Sequence, residues 1–337
     1  MTTRPSLSRS LLRRLIAVSL LLAGSLAAAQ AGPVIYAIIN EQDAAALADL
    51  FEEQTGLKPT VLRGSTGEII ARVIAERSNP QADIVLGGPS TLHITLKDEG
   101  VSEPHALPEG LELPAGSFDP EGYWTGWHTT ALGLGINTDR FRNRFGDTPL
   151  PATWEDLLDP QFRGELVVTD PVASSTAYLF VQVQLQRLGE AAGWDYLEAL
   201  IPQVGQFPSS GSAPAQLVGS GEYAIGVSYV HALARNAAEG LPISIVVPPG
   251  TGGEIGSISV VSGGPNSEAA HSFVDFIMSV EAQQLFTDRS LTAPIHPDVV
   301  LPAGVVTAAS ISMIDFDSDL AAAQRDEVLE HWSSLVD

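Results

Sequence analysis

Between residues 33 and 86, three short apolar segments alternate with two amphipathic ones, and the connections between them are only a few residues long. Residues 34–39, 59–62 and 82–86 have the apolar composition of buried strands. Residues 41–54 carry apolar side chains at helical spacing, and Ser65 and Glu68 form a capping-box sequence ahead of a second such segment. Because parallel strands need crossover connections, this alternation predicts an α/β fold with a mainly parallel sheet flanked by helices.

A second alternating block, from residue 166 to residue 247, predicts a second sheet with its own helices. Two runs of small and apolar residues, ALGLGIN at 131–137 and SISVV at 257–261, are suited to strands that pass from one lobe to the other. We therefore expect two lobes joined by two crossing strands. The predicted boundaries are lobe 1 at 32–130, lobe 2 at 131–256, and 257–337 as a return to lobe 1 followed by C-terminal helices.

Residues 1–31 have the composition of a secretory signal peptide. Four arginines precede an apolar run at 15–26, and the small residues AAAQA follow at 27–31. The apolar run is shorter than the roughly 20 residues of a membrane-spanning helix, so cleavage is expected rather than anchoring. The sequence contains no cysteine, which excludes a disulfide, a thiolate metal site and a lipid-bearing cysteine after the leader. These features predict a periplasmic protein that is not a lipoprotein.

The formal net charge is −23, and four of the arginines belong to the predicted leader. Such a surface repels phosphate backbones, and no cluster of basic residues interrupts it, so nucleic acid is excluded as a partner. The seven histidines do not have zinc-binding spacing, and the linear motifs of hydrolases and phosphate-binding loops are absent from the sequence. We expect no metal, no cofactor and no enzymatic activity, and a secreted hydrolase is the rival from another class.

Ligands of open α/β sheets bind beyond the carboxyl ends of the parallel strands. Helices that begin there present free backbone N–H groups and a partial positive charge, which hold phosphate or carboxylate without a lysine. The candidates from helix starts and strand ends are Asn40, Ser65, Thr66, Gly88, Ser174, Ser175, Thr176 and Tyr229. Ordinary helix capping is the alternative interpretation of the serines and threonines. Trp127 is a candidate for stacking on a ligand ring, and a core position is its alternative.

Several longer segments together resemble the periplasmic solute-binding proteins of ATP-driven (ABC) importers, in the branch of ferric-ion, sugar-phosphate, aminoethylphosphonate and thiamine receptors. The matching segments cover nearly the whole chain after the leader. They are VLRGSTGEIIARVIAERSNPQADIVLGG (61–88), GYWTGWHTTALGLGINTD (122–139), PATWEDLLDPQFRGELVVTDPVASSTAY (151–178), SGEYAIGVSYVHALA (220–234) and PPGTGGEIGSISVVSGGPNSEAAHSFVDF (248–276). The resemblance implies a monomer with two α/β lobes that close over a small solute and deliver it to an inner-membrane permease.

The resemblance also suggests what the ligand is not. Ferric-ion receptors of this branch use a His, a Glu and two adjacent tyrosines, at positions that correspond here to Asn40, Gly88 and Tyr229-Val230. One tyrosine of these four ligands is retained. Because Fe³⁺ needs anionic oxygen donors, naked ferric ion is not expected.

Sugar-phosphate and phosphonate receptors place a His-Asp pair and a Glu at positions that correspond here to His231-Ala232 and Glu254. The His and the Glu are retained, so both are candidates for binding hydroxyl or amine groups of a related anionic solute. Thiamine or its phosphates, a polyamine and chelated ferric iron remain alternatives, because Glu254, Asp170, Trp127 and Tyr229 could together enclose a cation.

Overall fold

A computed structural model describes residues 31–336, so the predicted signal peptide lies outside the described residues apart from Ala31, which begins the first strand. The strands are β1 (Ala31–Ala37), β2 (Lys58–Arg63), β3 (Ile84–Pro89), β4 (Ser102–Glu103), β5 (Thr125–Asn137), β6 (Leu166–Val167), β7 (Val204–Gln206), β8 (Ile225–Tyr229), β9 (Ile243–Val246), β10 (Gly253–Val261) and β11 (Ala293–Pro294). The α-helices are α1 (Glu41–Thr55), α2 (Thr66–Ala75), α3 (Ser90–Asp98), α4 (Thr138–Phe145), α5 (Ser175–Leu188), α6 (Glu190–Leu200), α7 (Ala213–Gly219), α8 (Val230–Ala238), α9 (Ser267–Ile277), α10 (Val280–Ser290), α11 (Ser318–Ala323) and α12 (Arg325–Val336).

The strands follow the order β2-β1-β3-β10-β5-β8-β6-β7. In lobe 1, β1 is parallel to both β2 and β3, and β10 adds to this group in the antiparallel direction. In lobe 2, β6 is parallel to β7 and β8, and β5 pairs antiparallel with β8. The predicted two-lobed α/β fold with mixed, mainly parallel sheets is confirmed.

Two strands pass between the lobes, as the sequence predicted. β5 is 13 residues long, and its first half pairs with β10 while its second half pairs with β8 and β9. β10 leaves this pairing and continues beside β3 in lobe 1. Because β5 contributes to both sheets and β10 begins opposite Ala131 near its midpoint, the junction between the lobes lies within the sheet.

A third connection between the lobes was not predicted. After α10, β11 pairs with β5 on the lobe 1 side, and the chain then reaches Met313, which forms a bridge with Thr251. Ala321, Val328 and Trp332 of α11 and α12 belong to the lobe 2 core. The last two helices therefore stabilise lobe 2, although the chain has passed through lobe 1 before reaching them.

Each lobe has its own hydrophobic core. In lobe 1, Phe51 makes edge-to-face contacts with Phe273 and Phe276 at ring-centroid distances of 5.0 and 5.4 Å, which joins α1 to α9. In lobe 2, α5 crosses the core, and its residues 175–185 are all buried. A helix that is enclosed on every side has a fixed position, so its N-terminus at Ser175 is held rigidly at the boundary between the lobes.

Among residues 31–336, no helix combines the length and the apolar composition that crossing a bilayer requires.

Candidate functional site

A cavity of about 400 Å³ lies between the lobes, beyond the carboxyl ends of β1, β2, β3 and β8. Its size is in the range that holds small organic ligands. Ten of the eleven residues predicted from sequence line this cavity, although their separation in the chain exceeds 200 positions. They are Asn40, Ser65, Thr66, Gly88, Ser174, Ser175, Thr176, Tyr229, His231 and Glu254. Whether each of them binds a ligand stays a prediction.

Trp127 is the exception, and the prediction that its ring faces the cleft is wrong. Its side chain is 0% exposed and belongs to the lobe 1 core, where its ring centroid lies 4.3 Å from the ring centroid of Phe286. The pairing of β5 with β10 shifts at this point, because Gly256 pairs with His128 and Ser257 pairs with Gly126. Trp127 is therefore the extra residue of a bulge, which turns its ring into the core instead of the cavity.

His128, the next residue, lines the cavity in its place. Its ring lies directly over Gly256, where a Cβ atom would come within 2.0 Å of the imidazole. Glycine at position 256 therefore makes the space that this ring occupies. Burial lowers the pKa of His128 to about 3, so the ring is neutral at physiological pH.

Two helices from opposite lobes begin at the cavity and nearly touch. Ser65 caps α2 by accepting a hydrogen bond from the backbone N–H of Glu68, and Ser174 precedes α5 without making a side-chain cap. The Thr66 and Ser175 hydroxyls, one from each lobe, are hydrogen-bonded at 3.1 Å. The lobes are therefore closed at this end, with both helix N-termini directed at one enclosed space.

A group of charged side chains closes another side of the cavity. Asp43 of α1 is buried and accepts hydrogen bonds from Arg235 of α8 at 3.2 Å and from Arg289 of α10 at 3.1 Å. Because α8 belongs to lobe 2 and α1 to lobe 1, the bond between Asp43 and Arg235 is a second direct contact that joins the closed lobes.

Beside the N-terminus of α5, where Tyr229 approaches Ser175 and Thr176, the cavity wall is polar. The Tyr229 hydroxyl donates a hydrogen bond to the carboxyl group of Glu254, and the Thr130 hydroxyl is 2.7 Å from Nδ1 of His231. Burial raises the pKa of Glu254 to about 8 and lowers the pKa of His231 to about 3. At neutral pH both groups are therefore uncharged, and they offer hydrogen bonds to a ligand.

Arg63 is a cavity residue that the sequence reasoning missed. It is the last residue of β2, is exposed, and forms no ion pair within 4.0 Å among the residues that the structure describes. The signal was present in the sequence, because Arg63 directly precedes Gly64 at the carboxyl end of a predicted parallel strand. Its guanidinium group provides a free positive charge near the start of α2.

Further polar residues reach the cavity from segments to which the sequence pattern gave no role. They are Thr130, Ser210, Gln216, Ser290 and Thr292. No local motif marks these residues, because only the closed arrangement of the lobes brings them to the same space.

Comparison with known proteins is consistent with this geometry. The model of a family described as bacterial extracellular solute-binding protein matches residues 79–318. An uncharacterized protein of Haemophilus influenzae is 31% identical over 343 residues, which cover 98% of this chain and 97% of that protein.

Two further relatives have names that mention a ligand. The structure of the periplasmic binding protein AfuA from Actinobacillus pleuropneumoniae, with exogenous fructose-6-phosphate bound, matches with a TM-score of 0.88 and 28% identity, covering 91% of this chain and 98% of that one. A putative 2-aminoethylphosphonate-binding periplasmic protein of Salmonella typhimurium is 24% identical over 259 residues, which cover 74% of this chain and 73% of that protein.

Proposed function

We propose that this chain, which belongs to the family of bacterial extracellular solute-binding proteins, captures a small organic phosphate or phosphonate between its lobes. Its family and fold are those of the periplasmic receptors of ABC importers rather than of enzymes. Such receptors deliver the closed, ligand-bound form to a membrane permease, and this chain is proposed to act as a monomer in the same way.

One observation carries the proposal of an anionic ligand. The N-termini of α2 and α5 and the unpaired guanidinium of Arg63 meet at one enclosed cavity, although the protein as a whole has a net charge of −23. Backbone N–H groups at helix starts bind phosphate oxygens, and an arginine can bind two of them at once. This arrangement concentrates positive potential where a phosphate or phosphonate group is enclosed.

The polar wall around Tyr229 accounts for the rest of the ligand. His231 and Glu254 are uncharged at neutral pH and suit the hydroxyl groups of a sugar. The same Glu254 carboxyl would ionise beside an ammonium group, because an opposite charge at close range favours the charged form. The cavity therefore fits a sugar phosphate, and an aminoalkylphosphonate is the second candidate.

Naked ferric ion fits the same cavity poorly. Fe³⁺ prefers anionic oxygen donors. Burial raises the pKa of Tyr229 well above its usual range, and its hydroxyl is already bonded to Glu254. Asp43, another carboxylate at the cavity, is paired with two arginines. Tyr229, Glu254 and Asp43 are thus protonated or already paired, which leaves the cavity with few of the anionic donors that a ferric site needs.

A thermal-shift screen tests the proposal. A ligand that binds only the native state raises the melting temperature by mass action. We expect the largest increase with phosphorylated sugars or phosphonates, measured against thiamine, polyamines and ferric citrate at equal concentration. An increase produced only by the last three groups would contradict the proposal.

Glu254 predicts how binding depends on pH. Above a pKa of about 8 its carboxyl ionises and adds a negative charge to the cavity, so the affinity for a sugar phosphate is expected to fall as pH rises from 7 to 9. A Glu254→Gln variant should lose this dependence while it retains binding. For an aminoalkylphosphonate the affinity should instead rise towards pH 8. Calorimetric titrations at several pH values distinguish the two ligands, and a profile unchanged by the substitution would contradict the role of Glu254.

A further inference from the structure

A pair of histidines outside the cleft has an arrangement that the transport function does not use. His105 lies in the segment between β4 and β5, and His271 lies on α9. Their Nδ1 atoms are 2.8 Å apart, and the two rings are nearly parallel, with 18° between their planes and 5.1 Å between their centroids. The two rings therefore meet edge to edge through the same kind of nitrogen.

A carboxylate lies within hydrogen-bonding distance of the other ring nitrogen, Nε2, of each histidine. Nε2 of His105 is 3.0 Å from Oδ1 of Asp275, and Nε2 of His271 is 3.3 Å from Oε1 of Glu103. A carboxylate accepts a hydrogen bond, so each Nε2 carries the proton in a neutral ring and each Nδ1 presents a lone pair. Two facing lone pairs at 2.8 Å repel each other unless a positively charged species lies between or beside them.

A carboxylate behind each imidazole is also the arrangement that orients histidine ligands towards metal ions. The carboxylate fixes the tautomer and increases the basicity of the coordinating nitrogen. Glu103 and Asp275 occupy that position behind His271 and His105. The pair thus has two aligned imidazole donors with their outer partners already in place.

We propose that His105 and His271 bind a divalent transition-metal ion of the zinc type through their Nδ1 atoms. Two Zn–N bonds of about 2.0–2.1 Å at a tetrahedral angle need nitrogens roughly 3.3 Å apart, so the rings separate by about half an ångström and each turns by about 35° to direct its lone pair at the metal. The side chain of His271 is 35% exposed, which leaves room for water as the remaining ligands.

The site offers two protein ligands and no more. Among the residues that the structure describes, no group of three or more His, Cys, Asp and Glu side chains has the geometry to hold a metal ion. Binding is therefore weaker than in a structural zinc site with four protein ligands. Its effect is local, because the metal connects the segment that follows β4 to α9 within lobe 1.

Isothermal titration of the full mature protein with ZnCl₂, in a buffer that does not bind metal, tests this site. We expect one saturable site, and each of His105→Gln and His271→Gln should weaken it by more than about tenfold. Asp275→Asn keeps both ligands but removes the carboxylate behind His105, and it should weaken binding by about tenfold. The matched control is His296→Gln, which removes a histidine on a loop after β11 and should leave zinc affinity unchanged.

The histidines of the cleft need a separate control. His231→Gln is expected to leave zinc affinity unchanged, because His231 lines the cavity and does not contact the His105–His271 pair. Retention of full zinc affinity in both His105→Gln and His271→Gln would overturn the proposal. Absence of saturable binding to the wild-type protein would overturn it as well. Neither outcome affects the proposed solute site, whose tests use different ligands.

Discussion

A Trp127→Ala variant is expected to lose about 3–5 kcal/mol of unfolding free energy, because truncation of a fully buried indole leaves a large cavity in the core. The side chain is 0% exposed and packs against Phe286 and the ring of His128. Urea denaturation of the ligand-free protein, followed by circular dichroism, measures this loss. Local unfolding of lobe 1 would also displace β5 and disturb the cavity.

A conservative variant separates the structural role of Trp127 from direct ligand binding. Trp127→Phe retains an aromatic ring in the core and is expected to keep solute affinity within about twofold, while losing some stability. If the indole stacked on the ligand instead, the alanine variant would keep the stability of the ligand-free protein and would lose affinity. That result would support the ligand-stacking interpretation, which the sequence left open beside a core position.

Arg63→Gln is expected to weaken the binding of an organic phosphate by about 10–100-fold, because a hydrogen bond to a charged group contributes about 1.5–3 kcal/mol. Arg63 lines the cavity and has no carboxylate within 4.0 Å in the described part of the chain, so its charge is available to the ligand. Calorimetry gives the change in affinity directly. The melting temperature without ligand should change little, because the side chain is exposed.

Arg163→Gln is the matched control for this charge. Arg163 is also exposed and lies outside the cavity, so its substitution removes the same charge from the protein without altering the site. Equal losses of affinity in both variants would mean that only the overall charge matters. Unchanged affinity in Arg63→Gln would contradict a direct contact between Arg63 and the anion.

Most of the candidate site could be predicted from the pattern of strands and helices. The position of the site depends on topology, because ligands bind beyond the carboxyl ends of parallel strands. Parallel strands of each sheet end at the same edge, and that edge was expected to face the cleft in both lobes, so Ser65 and Ser175 could be placed near each other from two separate βα junctions. Local capping chemistry then identified which side chains stand at the helix starts. Neither step requires knowledge of side-chain packing.

Positions within the crossing strands could not be assigned in the same way. A shift of one residue in register moves a side chain to the other face, and the pairing of β5 with β10 shifts at Trp127. The sequence carries no local sign of this bulge, so the choice between Trp127 and His128 depended on the partner strand. The approach of Asp43 to Arg235, which are 192 positions apart, likewise depends on the closure of the lobes.

The third connection between the lobes escaped prediction for a different reason. Residues 295–313 contain little regular structure besides a 3₁₀ turn at Ala308–Ser310, so no hydrophobic period marks their path. The final helices show the amphipathic pattern of a packed element, but that pattern is the same whichever core they cover. Only the contacts of Trp332 and Val328 assign them to lobe 2.

The most direct test of an anion-binding cleft compares one ligand with and without its phosphate or phosphonate group. The organic phosphate or phosphonate that gives the largest thermal shift is titrated calorimetrically into the protein beside the same compound lacking that group. The account predicts one-to-one binding of the first compound and affinity for the second reduced by at least about a hundredfold, because the helix N-termini and Arg63 would be left without their partner. Equal affinities for the two compounds would contradict it.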